Sequence, residues 1–182
     1  MFMSKEVFGI IGTTAAGKDT AGDHISDVLS IPSYQTSTQL IQICIETGVE
    51  PTRDNLIELG TELSKKHGDG FLVETILETM PDRGVITGIR QLGQIAALQS
   101  MTNLTMISID ANPFLRFERA KRRGKLGEAK TLDEFVANEI AENSPPRTQR
   151  LFECMDLAEH QLINEGTIEE LHARIDEIFQ WN

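Results

Sequence analysis

Apolar and polar residues alternate between two rhythms along the chain. Val7–Ile11 is a short apolar run ending at a glycine, as in a strand buried on both faces. Ala21, Ile25, Val28 and Leu29 then recur at helical spacing and predict a helix over 17–29. Ile31–Tyr34 reads as a short second strand, and Thr36–Thr47 as a helix closed by Gly48. Thr52 is placed to cap a helix running to Lys66, with Leu56, Leu59 and Leu63 as its stripe, ended by Gly68. Phe71–Met80 predicts a helix stopped by Pro81, Gly84–Ile89 a strand, Leu92–Met101 a helix and Leu104–Ile109 a strand. Pro113 opens a helix to about Arg123, and Thr131 with Glu134 forms a capping box for the next. Pro145 and Pro146 break the chain, after which Arg147–Glu159 reads as a helix and Gln161–Asn164 as a last strand. Thr167 and Glu170 box the start of a final helix to Phe179.

Short apolar strands alternating with helices predict an α/β fold in three layers. A five-stranded parallel sheet is expected between helices. No repeat or linker divides residues 1–182, so one domain is expected, its lid and basic helix at about 112–150 and its best candidate for a mobile loop at Gly124–Lys130.

Composition narrows the function classes. The 182 residues carry 17 Lys and Arg against 28 Asp and Glu, a net charge of -11, which argues against a general nucleic-acid binder. The positive charge is concentrated: Arg116, Arg119, Lys121, Arg122, Arg123 and Lys125 fall within ten residues, suited to capturing a small anion. Met1–Glu6 lacks an apolar signal core and no run is long enough to span a membrane, so a cytoplasmic protein without membrane partners is expected. Cys44 and Cys154 are expected as buried free thiols, the four histidines as surface or helix residues without metal spacing, and Trp181 as a packing or tail residue. Oligomeric state is not legible.

The chemistry sits at the first strand-to-helix junction. Gly12-Thr13-Thr14-Ala15-Ala16-Gly17-Lys18 matches G-x-x-x-x-G-K. Its letters arise by chance in about one chain in twenty, but the apolar strand before it and the amphipathic helix after it make chance a minor explanation. Small residues let backbone N–H groups curl around phosphate, the helix start adds its positive end, and Lys18 reaches the terminal phosphates. Where the common pattern has Ser or Thr on magnesium, this chain has Asp19, followed by Thr20. Asp19 is suited to holding the metal or the acceptor hydroxyl, and Thr20 to supplying the lost hydroxyl. Arg119 and Arg123, spaced i, i+4, are candidate catalytic lid residues; Arg116 and Lys121 read as a solvated basic face, and Arg147 and Arg150 as lesser lid candidates. Arg53, in the first turn of its helix, and Arg90, at a strand end, are candidate acceptor contacts. Asp110 is read as a metal-side carboxylate or, preferably, a helix cap.

The run G-x-x-x-x-G-K-D-T resembles a subset of P-loop phosphotransferases: nucleoside monophosphate kinases of the dephospho-CoA kinase-like and bacteriophage deoxynucleoside monophosphate kinase-like groups. The resemblance extends in order through residues 52–68, "GVITGIRQLGQIAAL" at 84–98, "ISIDANPFLRFERAKRRGK" at 107–125 and "LINEGTIEELHARIDEIF" at 162–179. It implies the three-layer α/β/α P-loop NTPase fold with a helical lid, and an ATP- and magnesium-dependent kinase acting on a small nucleotide-like acceptor. The chain departs from the family's frequent charges at Thr87, Gln94, Ser64 and Gln39. A nucleotide-binding protein with little kinase activity, or a P-loop hydrolase, is the alternative.

Overall fold

The computed structural model describes residues 5–124 and 129–180. Lys125 and Trp181 lie outside them, as does most of the loop expected to be mobile. The described residues form nine helices and five strands: β1 (Lys5–Gly12), α1 (Lys18–Leu29), β2 (Ser33–Gln35), α2 (Thr36–Thr47), α3 (Arg53–His67), α4 (Phe71–Thr79), β3 (Arg83–Thr87), α5 (Leu92–Met101), β4 (Thr102–Asp110), α6 (Pro113–Arg122), α7 (Leu132–Glu142), α8 (Leu151–Asp156), β5 (His160–Ile163) and α9 (Ile168–Phe179).

The sheet has the order β2-β3-β1-β4-β5 and every pairing is parallel. All strands therefore end on one edge. From β1 the chain runs to β2 and β3 on one side and then crosses to β4 and β5 on the other, which opens a crevice beyond Gly12.

Alternation along β1 sorts the two cores. Val7 and Ile11 face α4, α5 and α8, where Val73, Ile76, Leu98 and Cys154 meet them. Phe8 and Ile10 face α1 and α9, against Ile25, Leu171 and Ile175. Both faces are covered, so the centre of β1, Val7–Ile11, reads as a continuous apolar run, and β4 carries apolar residues on both faces. Each fully buried isoleucine contributes roughly 1.5–3 kcal/mol. A third, smaller cluster of Phe117, Ala120, Ala129 and Phe135 joins α6 to α7 and touches Ala15 of the glycine loop.

Caps fall where their letters predict. Thr52 accepts from the Asn55 amide, and the boxes Thr131/Glu134 and Thr167/Glu170 are both closed. Several strand ends shift by one or two residues, β2 to Ser33–Gln35 and β4 to Thr102–Asp110 among them, and two differences have a local cause. Strand β3 stops at Thr87, because Gly88 turns the chain at φ 82° with its carbonyl fixed by Thr36 Oγ1 at 2.8 Å. The helix expected over 147–159 is reduced to α8. The Arg150 amide donates to Arg90 O at 2.8 Å and Gln91 Nε2 to Thr148 Oγ1 at 2.6 Å, so residues 147–150 run along the β3–α5 loop instead. Asn143 Oδ1 accepts the Leu151 amide at 2.9 Å and starts α8 there. Cys44 and Cys154 are buried free thiols, and burial pushes the Cys154 thiol up to about 12.

The histidines are not all simple surface residues. His24 of α1 stacks on His172 of α9 with ring centroids 3.9 Å apart, and His24 Nε2 lies 2.7 Å from Asp176 Oδ1. Burial, then the neighbouring His24, push the His172 pKa below its ordinary value, against the opposing fields of Asp176 and Glu169. The neutral ring carries no penalty; as pH falls through the ordinary value of 6.5, the unfolded chain takes up the proton before the folded one does. Acidification should therefore destabilise wild type relative to His172→Asn in urea titrations. A stability difference that does not change with pH would contradict this.

Candidate functional site

Gly12 to Gly17 form a tight loop at the sheet crevice. Ala15 and Gly17 take positive φ (62° and 109°), which turns the loop back on itself. A Cβ at Gly12 would collide with the Ile109 carbonyl oxygen of the paired strand, a backbone atom that has no rotamer to change. Gly12→Ala is expected to lower stability by about 1–3 kcal/mol; a urea midpoint equal to wild type would contradict the close packing of loop on β4.

The loop is buttressed from β4, α6, α7 and the turn after β5. Thr13, fully buried, donates from Oγ1 to Asp110 Oδ1 at 2.6 Å. The buried Asn164 donates from Nδ2 to Ala16 O at 2.7 Å, and its own amide bonds Asp110 O at 2.7 Å. The Thr14 amide donates to Glu139 Oε1 at 3.3 Å and Thr14 O accepts from Arg116 Nη1 at 3.3 Å. Asp110 Oδ1 also accepts the Ala111 amide at 2.8 Å. Asp110 does not cap α6; Asn112 does, accepting from Phe114 N at 2.9 Å, because it directly precedes Pro113 at the first helical position. The solvated role expected of Arg116 is likewise overturned. Arg116 is 4% exposed and its Nη1 and Nη2 each sit 2.9 Å from the Glu139 carboxylate, with Nε on Ala111 O at 3.0 Å.

Two clefts flank the loop. The first, about 410 Å³, is lined by Ala15, Gly17, Thr20, Arg119, Arg122, Arg123 and the turn 164–167. Arg119 and Arg123 both reach it. Arg119 is braced against that turn, donating to Asn164 O at 2.9 Å and Gly166 O at 3.2 Å. Burial, then repulsion from Arg122 and Arg123, hold its pKa below the ordinary value, so an anion here relieves crowding between cations.

The second cleft, about 520 Å³, begins at Thr14 and Lys18 and runs between α2, α3 and the β3–α5 loop. Arg53 and Arg90 line it, with Leu40, Leu56, Ile57 and Leu72 as an apolar wall. Gln94 Oε1 accepts the Arg90 and Gln91 amides at 2.8 and 3.2 Å, which fixes the approach of Arg90. Ser64, by contrast, bonds Asp69 and does not line the cleft. Thr87 Oγ1, on a residue 1% exposed, has no hydrogen-bond partner among the described residues.

Glu142 of α7, absent from the residues singled out in the sequence, completes the second cleft. It accepts from Arg53 Nε at 2.5 Å and Nη2 at 3.0 Å and lies 3.8 Å from Arg90 Nη1. Its spacing of three from Glu139 was the available signal: both must lie on one face of α7.

As for a metal, Asp19 is 40% exposed, 3.8 Å from Lys18 Nζ, and Thr20 opens onto the first cleft. Among the described residues no group of three or more His, Cys, Asp or Glu converges, so a magnesium ion held here would take few protein ligands, which suits an ion carried in by phosphate oxygens. No described helix is long and apolar enough to cross a membrane.

No family model matches the chain. It is similar over nearly its whole length to proteins named UPF0200. That of Hyperthermus butylicus is 27% identical over 168 residues, covering 90% of this chain and 88% of the relative. That of Methanoculleus marisnigri is 26% identical over 175 residues, covering 93% of each. Among solved structures, shikimate kinase from Acinetobacter baumannii in complex with shikimate superposes with a TM-score of 0.60 at 15% identity, covering 98% of this chain and 94% of that one. Shikimate kinase from Aquifex aeolicus gives 0.58 at 18% identity, covering 96% of each. With its five parallel strands and its phosphate-type loop at the crevice, the chain has the P-loop kinase-like α/β fold.

Proposed function

We propose that the protein transfers a phosphoryl group from ATP, with magnesium, to a small nucleotide-like acceptor, in the manner of nucleoside monophosphate and dephospho-CoA kinases. The observation that carries this is the placing of one loop between two clefts: Ala15, Gly17 and Thr20 open on the arginine-rich side and Thr14 and Lys18 on the other. A hydrolase or switch needs the first cleft and has no use for the second.

ATP supplies the phosphoryl group, and magnesium neutralises charge on its oxygens. The amides of 13–18 and the positive end of α1 would hold the polyphosphate. Arg119 and Arg123 would lie over the base and outer phosphates, with Arg119 fixed in advance by the turn at Asn164–Gly166. Lys18, shared by the loop and the second cleft, is placed to follow the group as it moves. Asp19 would hold the metal's water or orient the acceptor hydroxyl. Arg53 and Arg90 would receive an anionic part of the acceptor, whose body lies on the apolar wall.

Single-turnover assays with labelled ATP and a panel of nucleoside monophosphates and dephospho-CoA test this. Transfer to one acceptor supports it. ATP loss without an acceptor would favour a hydrolase, and tight ATP binding with neither would favour a binding protein.

A further inference from the structure

Among the described residues that line the second cleft, Arg53 and Arg90 face a single carboxylate, that of Glu142. Arg53 takes both oxygens of Glu142, whose side chain is only 7% exposed. Arg90 stands 3.8 Å from the same carboxylate, beyond hydrogen-bond reach, and its Nη1 donates instead to the neutral Gln149 Oε1 at 3.2 Å. Two guanidiniums thus share one acid at the end of a cleft walled by leucines. Their unequal treatment is reflected in their acidity. Burial lowers the Arg90 pKa and Arg53 adds repulsion, with Glu142 pulling the other way. For Arg53, burial also opposes the charge, but the bonds and field of Glu142 more than offset it.

We infer that Glu142 is an internal stand-in for an acceptor anion, holding Arg53 and Arg90 together until a single carboxylate or phosphate monoester on the acceptor takes them over. The inference rests on the reading of this cleft as the acceptor side, and it narrows the acceptor. One anionic group belongs at the Arg90 end, since a second would meet Glu142. A less polar body belongs against Leu40, Leu56, Ile57 and Leu72. The Arg53 side chain, 37% exposed, is held here by its pair with Glu142, whereas Arg90 is pinned through its backbone by Gln94 and by Arg150. Arg90 is therefore the fixed half of the anion site and Arg53 the half that Glu142 controls. Glu142 would set affinity and selectivity without touching the reacting atoms, because a competing internal anion rejects weakly charged compounds.

The test follows the side-chain Nε–Hε NMR signals of Arg53 and Arg90 in the full chain during titration with inorganic phosphate and, separately, with benzoate. These signals report on this cleft whether or not nucleotide is bound. Glu142→Gln keeps the shape and an acceptor for Arg53 but removes the charge. It should tighten binding by tenfold or more for one or both probes, and adding Arg90→Met should abolish the gain. The probe with the larger gain assigns the anion as phosphate ester or carboxylate. If Glu142→Gln folds poorly, Glu142→Asp, with its shorter reach, should give a smaller gain in the same direction. Unchanged or weaker binding would overturn the inference and leave Glu142 as a scaffold for the arginines. Failure of ADP to bind wild type would instead strike at the phosphoryl-transfer reading, independently of these signals.

Discussion

Lys18→Ala is expected to lower phosphoryl transfer by about 100- to 1000-fold, measured in single turnover with the acceptor that wild type uses. A preorganised cation aimed at developing charge in a partly dehydrated site is worth that much, because no solvent reorganisation accompanies the reaction. On the proposed reading Lys18 occupies such a position. It opens α1, so the helix's positive end and the lysine act on the same place, and its side chain is 15% exposed. It also borders the second cleft, where the acceptor would enter. The fold should survive, since Lys18 belongs to none of the three apolar clusters: circular dichroism and the urea midpoint are expected to stay near wild type. Transfer within a factor of three of wild type would contradict the role given to the loop.

Arg116→Met is expected to destabilise the protein by roughly 3–5 kcal/mol, a substantial fraction of the stability of most domains. The cost comes from the partner. Glu139 is 5% exposed and receives two of the Arg116 bonds; without them it is a carboxylate stranded out of water. Arg116 also lies 5.7 Å over the Phe135 ring and bonds Thr14 O, so three elements lose a common tie: α6, α7 and the glycine loop. The double change Arg116→Met with Glu139→Met should recover most of the loss, because it removes the stranded charge along with its partner. Urea titrations of the three proteins measure this. A single variant within 1 kcal/mol of wild type would refute the buried tie, and a double variant no better than the single would shift the cost to packing.

Much of the architecture is written locally and was legible for that reason. Val7–Ile11 and Leu104–Ile109 are apolar on both faces, and only a covered parallel sheet uses such strands. Thr131 with Glu134 and Thr167 with Glu170 act within four residues of each other, so the letters alone mark where α7 and α9 begin. Residues of the glycine loop carry their geometry with them: Gly17 is the residue type that its φ of 109° favours.

What escaped the letters depends on register between distant elements. Arg116 and Arg119 look alike in sequence, three residues apart in one basic helix. The first turns inward to Glu139, 23 residues on, and the second outward to the Asn164–Gly166 turn, 45 residues on. Periodicity separates their faces but does not say which face α7 will cover. Glu142 meets Arg53 across 89 residues; its spacing from Glu139 marks a shared face of α7 but does not name the partner. Asp110 has the letter and position of a helix cap or metal ligand, yet the Thr13 hydroxyl and Ala111 amide occupy its Oδ1, and Asn112 does the capping. Residues 147–150 carry a helical pattern that lost to bonds with Arg90 and Gln91, an override visible only once β3 and its loop are in place.

The most direct test of the central claim, that the amides of the loop at Gly12–Lys18 bind a nucleotide's polyphosphate, is titration calorimetry of ATP with magnesium into the intact protein, repeated with Lys18→Ala. The account predicts saturable binding to one site in wild type and an affinity at least about tenfold weaker in the variant, the loss of one charge-assisted contact. No heat of binding in wild type, or equal affinity in both proteins, would contradict it.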